Sequence, residues 1–403
     1  MADAAHPDHD EDRPTERQPA GWTKRSFDRQ LVIVGGGILI ILALLAWLPD
    51  ITPQAASGLI SDRVHGRIVS IAPATEQSAP IATVELLDGA QTGRAVDAQV
   101  EGPSGQLQLP DYAVGDEVIV AVDSTPDNTV AYAVVDRWRL PLLRNLVGLF
   151  AIVTILVAGW RGIRALVSLA LTLVIAVKVL IPALLAGWNP VALAISLGTL
   201  ITIGTLVLTQ GLNRQTLAAV LGTIVGLVAT GVCAVVVTAA ARFTIAQGSE
   251  QIVFLQQLAG GRIDLSGLLL AAVIFGGLGV LNDVAITQAA TVDELREVDP
   301  TMSRSELYRR TMNIGTAHLA ATVNTLVFAY LGAALPLLVV LALQVSSFGL
   351  TINEEMLAVE VVRTVVGSIG ILLAVPATTA IAVSLVGRSF RDAALRTRAL
   401  RTG

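Results

Sequence analysis

The run Gln215-Thr216-Leu217-Ala218-Ala219-Val220-Leu221-Gly222-Thr223-Ile224-Val225-Gly226-Leu227-Val228-Ala229-Thr230-Gly231-Val232-Cys233-Ala234-Val235-Val236-Val237-Thr238-Ala239-Ala240 contains no acidic or basic side chain. The hydrocarbon core of a bilayer is about 30 Å thick and takes about 20 apolar residues as a helix. This run is long enough to cross it. Working outward, comparable runs lie at about 31–48, 141–160, 163–185, 190–209, 265–288, 314–341 and 361–386, so eight transmembrane helices are expected. The composition agrees: 53% of residues are hydrophobic and 15% charged, and the mean hydropathy is +0.69. Such a chain does not read as one packed soluble domain. Its bulk partner is the lipid bilayer.

Basic residues collect in alternate loops: Lys24 with Arg25, Arg161 with Arg164, Arg214, then Arg296, Arg304, Arg309 and Arg310, then Arg388, Arg391, Arg396, Arg398 and Arg401. By the positive-inside rule this places both termini on the cytoplasmic side of a bacterial cytoplasmic membrane, with residues 50–138 outside. Residues 1–30 are rich in Asp, Glu, Pro, Arg and His and bury too little to order themselves, so a disordered tail is expected there. Residues 31–49 read as a signal anchor rather than a cleaved signal peptide, because the segment is long and follows an overlong charged region. Residues 139–387 form the expected seven-helix body and 388–403 a basic cytoplasmic tail. The segment 243–264 is too short for a span and reads as an interfacial or re-entrant helix.

Between the first two spans the pattern changes to short β-branched runs, 66–71, 81–87, 117–122 and 129–135, broken by turn residues that include Asp88-Gly89. Alternation and the Asp-Gly pair predict antiparallel strands with a hairpin, forming a small β-rich, OB-like domain. That domain is acidic, with Tyr112, Tyr132 and Trp138 as its only aromatics. It lacks the basic groove with stacking platforms that single-stranded nucleic acid requires, so no nucleic-acid partner is expected. Cys233 is the only cysteine, so the outer domain folds without disulfides and no cysteine metal cluster forms within one chain.

An ionisable residue inside a span costs about 2.5 to 3.5 kcal/mol on insertion scales, so each one marks a functional hypothesis. Asp283 lies in Gly276-Gly277-Leu278-Gly279-Val280-Leu281-Asn282-Asp283-Val284-Ala285-Ile286-Thr287-Gln288. Helical spacing puts Gly276, Gly279, Asp283 and Thr287 on one face, where glycines admit another backbone beside a carboxylate and a hydroxyl. A carboxylate there can carry a proton, coordinate a cation or anchor an amine. On the next span, His318, Thr322 and Thr325 share a stripe with Asn324 beside it. These residues, with Asn282 and Thr287, are the expected lining of a path. The bland reading is helix-to-helix hydrogen bonding, worth about 0.6 to 2 kcal/mol per residue. Lys178 and Arg363 are further intramembrane cations, explained equally by snorkelling. Arg363 precedes Gly367-Ser368-Ile369-Gly370 and Pro376, a place where the last helix is expected to break. Matching spans three to five with six to eight in opposite orientation aligns Gly222-Thr223-Ile224 with Gly367-Ser368-Ile369, the pattern of an inverted repeat.

Asn282-Asp283-Val284-Ala285 and Thr322-Val323-Asn324-Thr325-Leu326-Val327-Phe328-Ala329-Tyr330-Leu331-Gly332 resemble the YibE/F-like family of multipass membrane proteins. Arg214-Gln215-Thr216 with Gly222-Thr223, Arg363, Gly367-Ser368-Ile369-Gly370 and Pro376 extend the resemblance over roughly residues 140–387. Many relatives carry a basic-acidic pair where this chain has Thr316-Ala317-His318. The resemblance implies a transporter and brings no substrate with it. The expected function is therefore a secondary transporter or exporter of a small molecule or ion, coupled to protons or cations through Asp283. No Gly-x-x-x-x-Gly-Lys-Ser/Thr loop, His-Glu-x-x-His pair or Gly-x-Ser-x-Gly motif occurs in the sequence, so no cofactor, metal or catalytic residue is expected. The rival expectation is an envelope scaffold acting through the β domain. Assembly with further copies of the chain stays open.

Overall fold

The structure is a computed structural model that describes residues 32, 35–40, 43, 46, 62–72, 80–100, 112–124, 130–243, 264–343 and 347–401, with the backbone alone at 348 and over 387–401. The expected tail 1–30, most of the expected anchor and all but the ends of 243–264 lie outside the described residues.

Five strands, β1 (Asp62–Ala72), β2 (Ile81–Leu86), β3 (Ala95–Val100), β4 (Glu117–Ser124) and β5 (Val130–Arg137), form a closed barrel in the order β1-β2-β3-β5-β4. Closure leaves no edge strand open to further pairing. The long β1 makes it possible, pairing antiparallel with both β2 and β4, while β3 and β5 run parallel. Period-two alternation fills the interior: Ala82, Val84 and Leu86 from β2 meet Val96, Ala98 and Val100 from β3, with Ile68, Val118, Val120 and Val134. Strand β3 was not among the expected runs, because Asp97 and Gln99 on its outer face lower its β-propensity. Asp97 there accepts a 3.0 Å hydrogen bond from the Thr83 hydroxyl. The Asp88-Gly89 pair lies in the β2–β3 connection as expected. Gly89 takes a φ of 83°, and Asp88 Oδ1 accepts a 2.6 Å bond from the His65 backbone amide, tying the loop to β1. Where β5 leaves the barrel, Trp138 stacks on His65 with ring centroids 4.1 Å apart. His65 Nε2 lies 3.2 Å from the Glu117 carboxylate.

The helical body follows: α1 (Leu140–Ile175), a π-helical turn (Ala176–Leu180), α2 (Ile181–Leu185), α3 (Pro190–Gln210), α4 (Arg214–Ala241), α5 (Leu265–Val298), α6 (Arg304–Ala333), α7 (Leu335–Leu343), α8 (Phe348–Asn353) and α9 (Glu355–Arg401). Among the described residues, 6 helical stretches are long and apolar enough to cross a membrane: Leu140–Leu185, Pro190–Gln210, Arg214–Ala241, Leu265–Val298, Arg304–Ala333 and Glu355–Val386. The first contains both expected spans 141–160 and 163–185. They are separated at Gly159, whose φ of 56° and ψ of −132° break the helix. A methyl group at Gly162 would run into the Thr154 carbonyl, although eight residues of straight helix span about 12 Å. The two arms of α1 therefore meet at a sharp corner. Large apolar side chains on the first arm face outward, Leu156 at 78% and Val157 at 84% exposure, as in a helix solvated by lipid.

The expected bounds shift at the ends facing Arg296–Arg310. Helix α5 continues past Gln288 to Val298, and α6 begins at Arg304, ten residues before the expected start. Ser303 caps α6, its hydroxyl accepting from the Glu306 amide at 3.2 Å, and Glu306 pairs with Arg309 and Arg310. These local bonds hold a charged turn helical where hydropathy sees only a loop. Helix α6 ends at Ala333, short of the expected 341, because the chain re-enters a separate helix, α7, with Pro336 as its second residue, where a missing N–H loses no bond. Helix α9, by contrast, runs unbroken through Pro376. Its flanks Ala374 and Val375 are fully buried, and that packing holds the turn closed against the lost hydrogen bond.

The core is built on α4, α5 and α9. Helices α4 and α9 run antiparallel with reciprocal close contacts: a methyl at Gly222 would strike the Thr378 hydroxyl, and one at Gly370 the Thr230 hydroxyl, with Gly226 against Ala374 between them. The exchange pairs Gly222 with Gly370, Gly226 with Ala374 and Thr230 with Thr378. The same register aligns Thr216 with Thr364, Ala229 with Ala377, Ala234 with Ala382 and Val235 with Val383. The expected alignment of Gly222 with Gly367 is thus corrected by three residues, since at the seam Gly370, not Gly367, occupies the equivalent place.

Candidate functional site

Helices α1, α3 and α5 surround a cleft of about 860 Å³. The second arm of α1 supplies Arg161, Ser168 and Thr172; α3 supplies Thr205, Thr209 and Gln210; α4 adds Gln215; and α5 contributes Gly279, Asn282 and Asp283. A second cavity of about 490 Å³, lined by Thr287, Thr291 and Glu294, shares Gln210, Gln215 and Ile286 with the first. The two are therefore neighbours, stepping along α5 toward its charged end.

Local bonds fix the walls. Asn189 caps α3, accepting from the Ala192 amide at 2.9 Å, with Pro190 as the first helical residue. Asp264 caps α5, accepting from the Gly267 amide at 3.0 Å. Midway along, the Thr202 hydroxyl donates to Asn282 Oδ1 at 3.0 Å, locking α3 to α5 beside Asp283. Arg164, buried at 8% exposure, donates from Nε to the Leu208 carbonyl at 2.5 Å and locks α1 to α3. A methyl at Gly37 would press on Leu208 and Val167, so the N-terminal helical residues seat on this same pair of helices. Asp283 is exposed to the cleft, and among the described residues neither Asp283 nor Arg161 has a hydrogen-bond or ion-pair partner.

The structure thus brings Asp283 and Asn282 into one cleft and places Thr287 in the adjoining cavity. Gly279, with open space around it, lines the cleft, whereas Gly276 turns to the Tyr330 hydroxyl of α6. The expected glycine face admits no second backbone at these two positions. His318, Thr322, Asn324 and Thr325 do not line the cleft. Helix α6 buries Leu307, Thr311, Gly315, Leu319 and Leu326, and the polar stripe lies off that ridge. Two of its hydroxyls donate back to the helix, Thr322 to the His318 carbonyl and Thr325 to that of Ala321, both at 3.0 Å. Lys178 is half-buried in the π-helical turn, which precedes Pro182 and accommodates its missing N–H. Arg363 pairs with Glu360 at 3.0 Å, and Glu360 with Tyr330 and Thr364 lines a separate cavity of about 330 Å³.

Sequence reasoning missed Arg161, which was counted only as a cytoplasmic charge, and the hydroxyl row Thr202, Thr205 and Thr209, whose helical spacing was a usable signal. It also missed Gln288, at 1% exposure, which accepts from the Thr379 hydroxyl at 3.1 Å and packs on Gly315. There, α5, α6 and α9 meet.

The family model described as YibE/F-like protein matches residues 146–388. The chain belongs to the YibE/F-like family. That match covers every cleft residue named above and stops short of the barrel, so the YibE/F-like region and the site coincide. No curated protein and no solved structure matches the chain.

Proposed function

We propose that this YibE/F-like chain is a secondary transporter or exporter of a small molecule or ion, with Asp283 as the group that binds the coupling proton, a cation or the cargo. The observation that carries the reading is the cleft: a carboxylate without a partner among the described residues, with hydroxyls and amides interspersed among apolar side chains such as Leu169, Ile201 and Phe275, within helices apolar enough for lipid. A chain that only anchored an outer domain gains nothing from such a cavity, and each intramembrane charge is costly. The reciprocal Gly–Thr seam of α4 and α9 adds support, because inverted repeats that rock about a shared axis are a common transporter architecture.

In this reading the two arms of α1 and the N-terminal helical segment bring the count of spans to eight. Both termini face the cytoplasm, in a bacterial cytoplasmic membrane, and the barrel stands outside. Its strand order, with parallel β3 and β5, supports the OB-like assignment. The test compares small-molecule and lipid pools inside and outside cells of a deletion strain carrying either the intact gene or Asp283→Asn at matched membrane level. Restoration by the intact gene alone supports the reading, and equal restoration by both genes removes Asp283 from it.

A further inference from the structure

We infer that the cleft binds a small amino-acid-like zwitterion, its ammonium group on Asp283 and its anionic group on Arg161. The inference rests on the transport reading of this cleft and names the class of cargo. Among the described residues, Arg161 and Asp283 are the only two ionisable residues that line it, and they have opposite signs. Helix α3, which forms the wall between them, carries no ionisable residue. Other charges border the cleft without lining it: Arg164, engaged with the Leu208 carbonyl, Arg214, which precedes the lining residue Gln215 and interacts with Asp293, and Glu294 in the adjoining cavity.

The two charges sit at different depths. Asp283 follows Asn282, which is level with Thr202, whereas Arg161 lies one turn before Arg164, which reaches Leu208. At 1.5 Å per residue, Thr202 and Leu208 are about 9 Å apart along α3. Side chains extending from both levels leave a gap that a small molecule with separated charges fills.

The hydroxyls set the polarity of the wall. Thr172 donates to the Ser168 carbonyl at 3.0 Å, Thr205 to that of Thr202 at 3.2 Å and Thr209 to that of Thr205 at 2.7 Å. With their protons committed to the backbone, these oxygens offer lone pairs to the cleft. Together with the Asp283 carboxylate they make an acceptor surface, suited to an ammonium donor. Arg161 presents donors at the other end, suited to a carboxylate. A ligand carrying both groups satisfies both ends and leaves no net charge to be moved through an apolar body.

The test uses the full chain in nanodiscs and follows thermal unfolding with glycine and 4-aminobutanoate as zwitterionic probes, and butanoate and butylamine as single-charge analogues. At neutral pH at least one zwitterion should bind about tenfold or more tightly than either analogue, the scale of one charge-assisted contact. Asp283→Asn should reduce 4-aminobutanoate to the level of butanoate, and Arg161→Gln to that of butylamine. Arg161→Lys should recover part of the loss, and ligand-free unfolding temperatures near that of the parent show that the variants are folded. Butanoate bound as tightly as the zwitterion and tightening as pH falls would replace the assignment with an anion and a proton. Butylamine bound equally well would replace it with a simple cation site, and no response to either zwitterion overturns it. Failure here with Asp283→Asn still abolishing pool displacement leaves transport standing with another cargo. Zwitterion binding without any displaced pool keeps the site and removes the transport reading.

Discussion

The Thr202 hydroxyl donates a 3.0 Å hydrogen bond to Asn282 Oδ1, joining α3 to α5 one residue before Asp283. That bond aims the carboxylate: with Asn282 held against α3, the next side chain on α5 points into the cleft. Thr202→Val and Asn282→Leu should each destabilise the fold, with a coupling of about 0.6 kcal/mol in a double-mutant cycle, as for other hydrogen bonds between membrane helices. Additive effects would show that the bond does not hold these helices together.

Gly226 lies at the centre of the α4–α9 seam. A methyl there would sit 2.9 Å from Ala374 Cβ and 3.1 Å from the Gly370 carbonyl, neither of which can rotate away. Gly226→Ala should therefore destabilise by about 1 to 3 kcal/mol, the range for overpacking a tight core. At Gly204, inside α3, the nearest atom to an added methyl is 3.7 Å away, so Gly204→Ala should not lower the unfolding midpoint and should raise it slightly through the better helix propensity of Ala. The pair of midpoints checks the seam.

Gly159 fails for a different reason. Nothing lies within 4 Å of its missing Cβ, yet its φ is 56°, a conformation that side chains disfavour. Gly159→Ala should cost about 1 to 3 kcal/mol through backbone strain alone. Straightening α1 would also carry the first arm, with its cleft residue Thr154, away from Asp283, so cross-linking between Thr154→Cys and Asp283→Cys should fall when Gly159→Ala is added in a Cys233→Ser background.

The barrel has its own pH dependence. Asp136 accepts from the Arg137 backbone amide at 2.8 Å and from Arg139 at 2.7 Å, and these bonds hold its carboxyl below the usual carboxylate range. A group whose folded-state pKa is depressed stabilises the fold above its unfolded pKa and loses that contribution as pH falls through the folded value. Barrel unfolding, read from the fluorescence of Trp138, should therefore be eased on acidification below the ordinary Asp range. Asp136→Asn should flatten that dependence.

Much of the architecture was legible in the sequence because bilayer thickness and strand alternation act on runs of residues. Uncharged runs such as 215–240 name their own spans, and Val84 with Leu86 names a barrel face. Helix extensions were not legible, because capping and ion pairing at Ser303 and Glu306 keep a charged turn helical where hydropathy expects a loop. Strand β3 was hidden by Asp97 and Gln99 on its outer face. Of the candidate site, Asp283 and Asn282 were legible as polar groups out of place in an apolar helix. His318 and Asn324 met the same criterion, but the rotation of α6 about its buried ridge, set by Leu307, Gly315 and Leu319, decides where they face. Arg161 was obscured by its position at a helix corner, where a cation already has a topological explanation. The packing of the second arm of α1 on α3, held by Arg164 and the Leu208 carbonyl, brings it to the cleft.

The most direct measurement asks whether the cleft is an aqueous path. In a Cys233→Ser background, Gly279→Cys places a thiol in the cleft where nothing obstructs it, and Val232→Cys places one on an exposed apolar face of α4. A membrane-impermeant maleimide applied to each face of sealed vesicles should label Gly279→Cys and leave Val232→Cys unmodified. If Gly279→Cys resists labelling from both faces as fully as Val232→Cys does, the cleft admits no water-borne solute and the account of Asp283 as a transport residue fails.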